Sequence, residues 1–388
     1  MSARQGSWRA IGESVIGVTH ARDGRPCQDA VWTSVTSPEV AVAAVADGHG
    51  QAKSFRSGEG AFIAVKVAAD LLAKFSESDS AMPDSAWRER KDLAGHLPRI
   101  VAQTWRERVR EHVQRHPLSV DEHVLVGDRL WTAPDQPMTP DAYRSLWRVY
   151  GTTLIAVLVT RSYAVALQIG DGLLMAAGAS GEAFEVLDPD ALNFGTSTTS
   201  LSDEDAELRL RWRLIPHEGD YPVLYWLSTD GYEKAFRSED HGGVCLEYRE
   251  AFRGQDGYKI INENLAAGLH QASAGGTGDD ATAAFLYFDE SDSGSVTAEI
   301  GRPPQAETDQ GSAGVTPFRD AGTADDFVNG EHSMNTQVTD ASTGESVNSS
   351  FPLTAGEGRV IDSLGPSGPS SPTDPSTRTP DGEEFEPC

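Results

Sequence analysis

The chain has 388 residues with 59 Asp and Glu against 32 Lys and Arg, a formal net charge of −27 that argues against nucleic-acid and anionic-membrane partners, whose phosphates are held by Lys and Arg. No apolar run approaches the ~18 residues of a membrane span, and the start, Met1 to Trp8, lacks the apolar core of a signal peptide. The three widely spaced cysteines, Cys27, Cys245 and Cys388, indicate neither a disulfide framework nor a Cys-rich zinc site, and the reading is of a cytoplasmic protein.

In chain order, Ser7 to Val18 mixes apolar and polar residues in the manner of half-exposed strand. A polar loop, Thr19 to Asp29, follows with a turn at Asp23-Gly24. Ala30 to Val35 reads as a second strand and Val40 to Ala46 as a third, joined by Ser37-Pro38-Glu39, so the three are expected to form a meander. From Ser57 to about Lys74 the apolar residues cover nearly one side of a helix. Pro98 opens a second helix with a buried stripe, Val101, Trp105, Val109 and Val113, which His116-Pro117 ends. Residues 118–141 show no convincing period and read as an insertion.

Gly151 to Thr160 is almost continuously apolar, as in a strand covered on both faces. Arg161-Ser162 turns it into Tyr163 to Ile169, and Gly170-Asp171-Gly172 leads on to Leu173 to Ala177, a second expected meander. Residues 178–220 are polar and irregular, which predicts a mobile flap. Pro222 to Leu227 is a further strand, Tyr232 to Phe236 a helical turn, Tyr248 to Gln271 one or two helices, and Thr282 to Phe288 a closing strand. Short antiparallel connections dominate, so the expected fold class is α+β, two packed antiparallel sheets with helices outside. Residues 1–288 form the folded domain. Residues 289–388 carry 19 acids against 4 arginines and are rich in Ser, Thr, Gly and Pro, the composition of a disordered acidic tail.

Three apolar runs end alike: Val40 to Ala46 in Asp47-Gly48-His49-Gly50, Ala164 to Ile169 in Gly170-Asp171-Gly172, and Val223 to Leu227 in Ser228-Thr229-Asp230-Gly231. Asp29 precedes a strand and Asp279-Asp280 precedes the last one. Carboxylates gathered at one sheet edge repel one another unless a cation lies among them. All-oxygen ligands without Cys point to a hard divalent ion, Mg²⁺ or Mn²⁺, and two such ions can drive in-line attack on a phosphate ester.

Read in order, Cys27-Gln-Asp-Ala30, Asp47-Gly-His-Gly50, Gly151-Thr-Thr153, Ile169-Gly-Asp171, Leu227-Ser-Thr-Asp-Gly231 and Gly276-Thr-Gly-Asp-Asp-Ala-Thr282 resemble the metal-dependent type 2C (PPM-type) serine/threonine protein phosphatases, bacterial branch, over residues 7–288. That resemblance implies an α-β-β-α sandwich with a dinuclear site at one end. It also implies a substrate, phosphoserine or phosphothreonine of proteins that a serine/threonine kinase has modified. By motif, Asp47 corresponds to the carboxylate bridging two Mn²⁺ or Mg²⁺ ions, the Gly48 carbonyl to a further ligand, and Asp230 and Asp279 to the other ligands of the first ion. Asp29 corresponds to the acid that orients water and His49 to the histidine that protonates the leaving alkoxide. Asp171 has a turn-stabilising role in this reading, Asp280 supports the ligands without binding the ion, and His20 is structural or exposed.

Two departures stand out. The family commonly has Glu where this chain has Gln28, an amide that removes one negative charge from the second ion's site. The arginine that clasps phosphate corresponds to Arg22 or Arg25, with neither spacing decisive. The second reading of function therefore is a catalytically weak, phosphoprotein-binding or regulatory module, motivated by Gln28.

Overall fold

Two five-stranded antiparallel sheets face each other, and a computed structural model describes them through residues 6–79, 82–83, 86–126, 139–190, 198–219 and 221–290. The first sheet runs β1 (Ser7–Val15), β10 (Ala281–Asp289), β9 (Pro222–Ser228), β6 (Leu173–Gly178) and β7 (Ala183–Glu185). The second runs β2 (Ala30–Ser37), β3 (Val40–Ala46), β4 (Leu154–Val159), β5 (Tyr163–Ile169) and β8 (Arg211–Pro216). The acidic tail beyond residue 290 and positions 127–138 of the expected insertion lie outside the described residues.

The unbroken apolar runs follow from burial on both faces. In β3, Ala41, Ala43 and Val45 point between the sheets, while Val42, Ala44 and Ala46 face the helices. These helices are α2 (Ser57–Asp79), α4 (Leu97–Arg115) and α6 (Pro140–Val149). On the other side, Ala283, Phe285 and Tyr287 of β10 pack against α9 (His241–Arg253) and α10 (Gly257–Gly275), which follow the short α8 (Asp230–Glu233). The small residues of β3 let α2 lie close, and the predicted stripe of α4 is buried as expected, with Trp105 Nε1 donating to the Gly60 carbonyl at 3.0 Å. The two-sheet α+β class and the main helices agree with the sequence.

Three expectations need correction. β1 does not continue into a meander with β2 and β3. It pairs with β10, and a short helix, α1 (Val18–Arg22), carries the chain across to the second sheet. β1 and β2 meet face to face instead, with Gly12 against Val31 and Thr33. Likewise, β6 leaves β5 and joins β9, the crossing made at Gly170 with φ +104°, a left-handed value that favours glycine. The segment 178–220, expected to be irregular, contains β7, α7 (Ala206–Arg209) and β8, and β8 forms the edge beside β5. Within the expected insertion, α5 (Val120–Val126) and the start of α6 are helical, and α3 (Trp87–Ala94) adds a helix the sequence did not signal.

Candidate active site

Strand register brings the acids together. Ala30 pairs with Ala46, so Asp29 and Asp47 leave neighbouring strand ends side by side. Ser228 pairs with both Leu173 and Ala283, which places Asp171, Asp230 and the Asp279-Asp280 pair at the corresponding end of the other sheet. All six lie at one end of the sandwich although 251 positions separate Asp29 from Asp280 in the chain.

Threonine side chains hold the Asp47 backbone and the Asp29 carboxylate. Asp47 N donates to Thr153 Oγ1 at 2.9 Å, and the Asp47 carbonyl accepts from Thr153 N and Thr152 Oγ1, each at 2.9 Å. The Gly-Thr-Thr motif thus holds the Asp47 main chain and leaves its carboxylate directed at the cluster. Asp29 Oδ2 accepts from Thr229 Oγ1 at 2.8 Å and Thr282 Oγ1 at 2.7 Å. Neither threonine was singled out in the sequence, although each adjoins an acidic motif.

The glycines beside the aspartates serve close packing and not turn chemistry. Neither Gly48 nor Gly231 has a positive φ. A Cβ on Gly48 would come within 2.6 Å of the Gln28 carbonyl oxygen, and one on Gly231 would overlap the Asp280 carbonyl oxygen. The Asp-Gly dipeptides therefore mark where two site-bearing loops touch.

Asp280 is the joint between those loops. Its carboxylate, 2% exposed, accepts from Gly17 N and Gln28 N, both at 2.7 Å, and lies 2.9 Å from Nδ1 of buried His20. His20 Nε2 is 3.6 Å from Asp279 Oδ1. His20, Asp279 and Asp280 form the one trio of potential ligand side chains, among the described residues, whose ligand atoms all lie within 4.8 Å of one another. Because Asp280 already accepts two main-chain N–H groups, this trio is a clasp between α1 and the loop before β10. Val18 N donating to Ser273 Oγ, and Ser273 Oγ donating to the Asp279 carbonyl, extend the same clasp.

Electrostatics reflect the crowding. Burial first, and then Asp29, Asp230, Asp279 and Asp171, push the Asp47 carboxyl well above the usual range. Burial and Asp280 raise Asp29 to about 8 against the lowering effect of its two threonine donors. Asp279, half exposed, is raised chiefly by burial. The Lys234 ammonium pairs with Asp230 Oδ2. Burial lowers His49, against the raising influence of Asp171 and Asp203. Cys27 is pushed up to about 12 by burial and by Asp29, so it remains a thiol and offers no thiolate nucleophile.

Gln28 brings its own signal. Its Nε2 donates to Ser57 Oγ at 2.9 Å, while Oε1 is buried with no donor among the described residues. An orphaned buried acceptor oxygen, on a residue that adjoins Asp29 in the chain and whose main-chain N is held by Asp280, fits a hard cation. Asp171 Oδ2 accepts from Thr198 Oγ1 at 2.9 Å, which ties down its turn. Arg22 and Arg25, 75% and 41% exposed, both pair with Asp23 on the outer loop.

The profile of the family described as protein phosphatase 2C matches residues 16–269. Among solved structures, the chain is similar to the serine/threonine phosphatase PstP/Ppp of Mycobacterium tuberculosis, at 18% identity, covering 73% of this chain and 99% of that one with a TM-score of 0.43. It is similar also to the PstP catalytic domain in complex with two manganese ions (17%, 73% and 99%, TM-score 0.40). A third is the serine/threonine phosphatase Stp1 of Staphylococcus aureus (13%, 74% and 98%, TM-score 0.42). No curated protein matches the chain in sequence.

Proposed function

Since the chain belongs to the protein phosphatase 2C family of serine/threonine phosphatases, we propose that it removes phosphate from phosphoserine and phosphothreonine of proteins with the help of two divalent ions, Mn²⁺ or Mg²⁺. Asp47, the Gly48 carbonyl, Asp230, Asp279 and Gln28 would hold them. The observation that carries this reading is the set of carboxylates from separate strand ends that act on one another at Asp47, and the orphaned, buried Gln28 Oε1 supports it. When bound, the ions supply activation of water for in-line attack and neutralisation of phosphate charge.

The chain's own residues do the positioning. Thr152 and Thr153 fix Asp47, Thr229 and Thr282 fix Asp29 as the acid that orients the attacking water, and Asp280 fixes the backbone of Gln28. His49 gives its proton to the departing serine or threonine oxygen as the P–O bond breaks. Burial holds this imidazole toward its neutral form, and an arriving phosphate dianion shifts it back toward the charged form that can act as an acid. Arg25, the less exposed of the two loop arginines, or Arg22 would leave Asp23 to clasp the phosphate in a bidentate pair.

Gln28 favours one alternative, a phosphoprotein-binding module with weak turnover, because the second ion would depend on a neutral amide. Hydrolysis of p-nitrophenyl phosphate and of a phosphoserine peptide, with Mn²⁺ and after chelation, separates the two. Turnover that requires Mn²⁺ and vanishes in Asp230→Asn supports the phosphatase. Peptide binding with no turnover at saturating Mn²⁺ leaves only the module. The reading includes opposition to a serine/threonine kinase and a cytoplasmic location; among the described residues no helix is long and apolar enough to cross a membrane.

A further inference from the structure

A cleft of about 410 Å³ opens between the C-terminal half of α6 and the loop that precedes β8, lined by Arg148, Ser202, Asp203 and their neighbours. One lining residue, Ser202, stands across Gly151 from His49. Gly151 is the hinge point: a Cβ built there would touch His49 Cδ2 at 2.7 Å on one side and Ser202 Oγ at 3.3 Å on the other, with the Arg148 carbonyl also at 3.3 Å. His49 N in turn donates to the Gly151 carbonyl at 3.0 Å, so the cleft and the histidine share one piece of backbone.

The charges lining it are not equivalent. Arg144 is paired with Asp141 and Glu204, and Arg209 with Asp203 and Asp205. Asp203 also accepts from Ser200 N at 3.0 Å, and the carbonyls of Asp203 and Glu204 accept from Arg106. The acids of this loop are thus engaged in holding it. Arg148 is the lining charge without an ion pair or side-chain hydrogen bond among the described residues, and it is exposed. An unpaired guanidinium lining this cleft, on a strongly acidic protein, has capacity for an anionic group that nothing among the described residues takes up.

We infer that this cleft is a substrate subsite in which Arg148 receives an acidic side chain, Asp or Glu, lying within a few residues of the phosphorylated position. The inference rests on the reading above, which puts the phosphorylated residue beside His49. It makes the protein selective among phosphoproteins: acidic flanks bind, and basic flanks meet Arg148 as a like charge. It also accounts for the placement of α6 directly before the Gly-Thr-Thr clamp, since one short connection carries both the subsite arginine and the support of Asp47.

The test is fluorescence anisotropy of full-length protein with Mn²⁺ and labelled peptides that carry a non-hydrolysable phosphonate analogue of phosphoserine, flanked by Glu, by Ala or by Lys. Wild type is expected to bind the Glu-flanked peptide about fivefold or more tighter than the Lys-flanked one, the scale of an accessible ion pair together with removal of a like-charge contact, with the preference shrinking in high salt. Arg148→Ala should erase the preference, Arg148→Glu should invert it, and Arg148→Lys should retain most of it, which guards against a variant that merely misfolds. A wild type that prefers Lys flanks, or an Arg148→Ala protein that keeps the Glu preference, overturns the inference. Hydrolysis of p-nitrophenyl phosphate by wild type, measured in parallel, reports on the phosphatase reading separately. Turnover without flank preference refutes the subsite alone, and flank preference without turnover refutes the phosphatase alone.

Discussion

Replacing Asp280 by Ala tests whether the clasp between α1 and the last strand holds the site together. The carboxylate is nearly inaccessible and is the acceptor for two main-chain donors, Gly17 N and Gln28 N, at 2.7 Å each. A buried donor left without a partner costs about 1–3 kcal/mol, so two give about 2–6 kcal/mol. Two effects reduce this. Water can enter the small space the truncation leaves, and removal of a negative charge relieves Asp29, whose carboxyl Asp280 pushes upward. The net loss expected is about 2–4 kcal/mol. Asp280→Asn keeps one acceptor oxygen and should lose about half as much. The assay is urea unfolding of metal-free protein followed by tryptophan fluorescence, with the stability order wild type, Asp280→Asn, Asp280→Ala. Mn²⁺ titration of the same proteins should show weaker binding in that order, because Gln28 loses the anchor of its backbone. An Asp280→Ala protein that unfolds within about 0.5 kcal/mol of wild type, the range of an unremarkable surface change, would refute the reasoning.

Gln28→Glu should raise Mn²⁺ affinity, seen as a larger thermal shift on adding the ion, while lowering the stability of metal-free protein, because it adds a charge to carboxylates that already repel. A variant unchanged in both respects would remove Gln28 from the ion site. Asp47→Asn should abolish turnover and yet raise the metal-free melting temperature, since it removes a buried charge whose neighbours disfavour it; near-normal turnover would refute the assignment. Glu122 accepts from Arg56 Nε at 2.7 Å and Nη2 at 2.8 Å, and this holds its carboxyl down to about 2 from 4.5. A lowered folded value stabilises in full above about pH 4.5 and is lost as pH falls through the folded value, so stability should decline from pH 4.5 toward 2. Glu122→Gln should flatten that decline in an acid-unfolding series.

Much of the candidate site was readable because strands buried on both faces write themselves as apolar runs, and the residue that ends such a run stands out. Asp47 after Val40 to Ala46 and Asp230 after Pro222 to Ser228 were visible in this way. The helices α2 and α4 were visible by their apolar stripes. Strand β8 was missed although Leu210, Trp212 and Leu214 alternate with arginines, because its flanks are polar and it lies at a sheet edge. Arg148 carries no local signal at all: on an exposed helix face it looks like any solvated arginine, and its lack of a partner is a property of the neighbouring loop.

What the sequence determined by itself was therefore local: which segments are strands or helices, which carboxylates stand at their ends, and that so many acids ask for a cation. Which strands pair was decided only by the tertiary structure. The partner of β1 is β10, more than 260 positions away, and β6 changes sheets where a meander was the simplest continuation. Hydrogen bonding across a sheet is set by burial and register between distant segments, and no local pattern encodes it. The same holds for Asp280, to which the family resemblance assigned a supporting role and whose contacts with Gly17, His20 and Gln28 exist only once the first and last strands lie together.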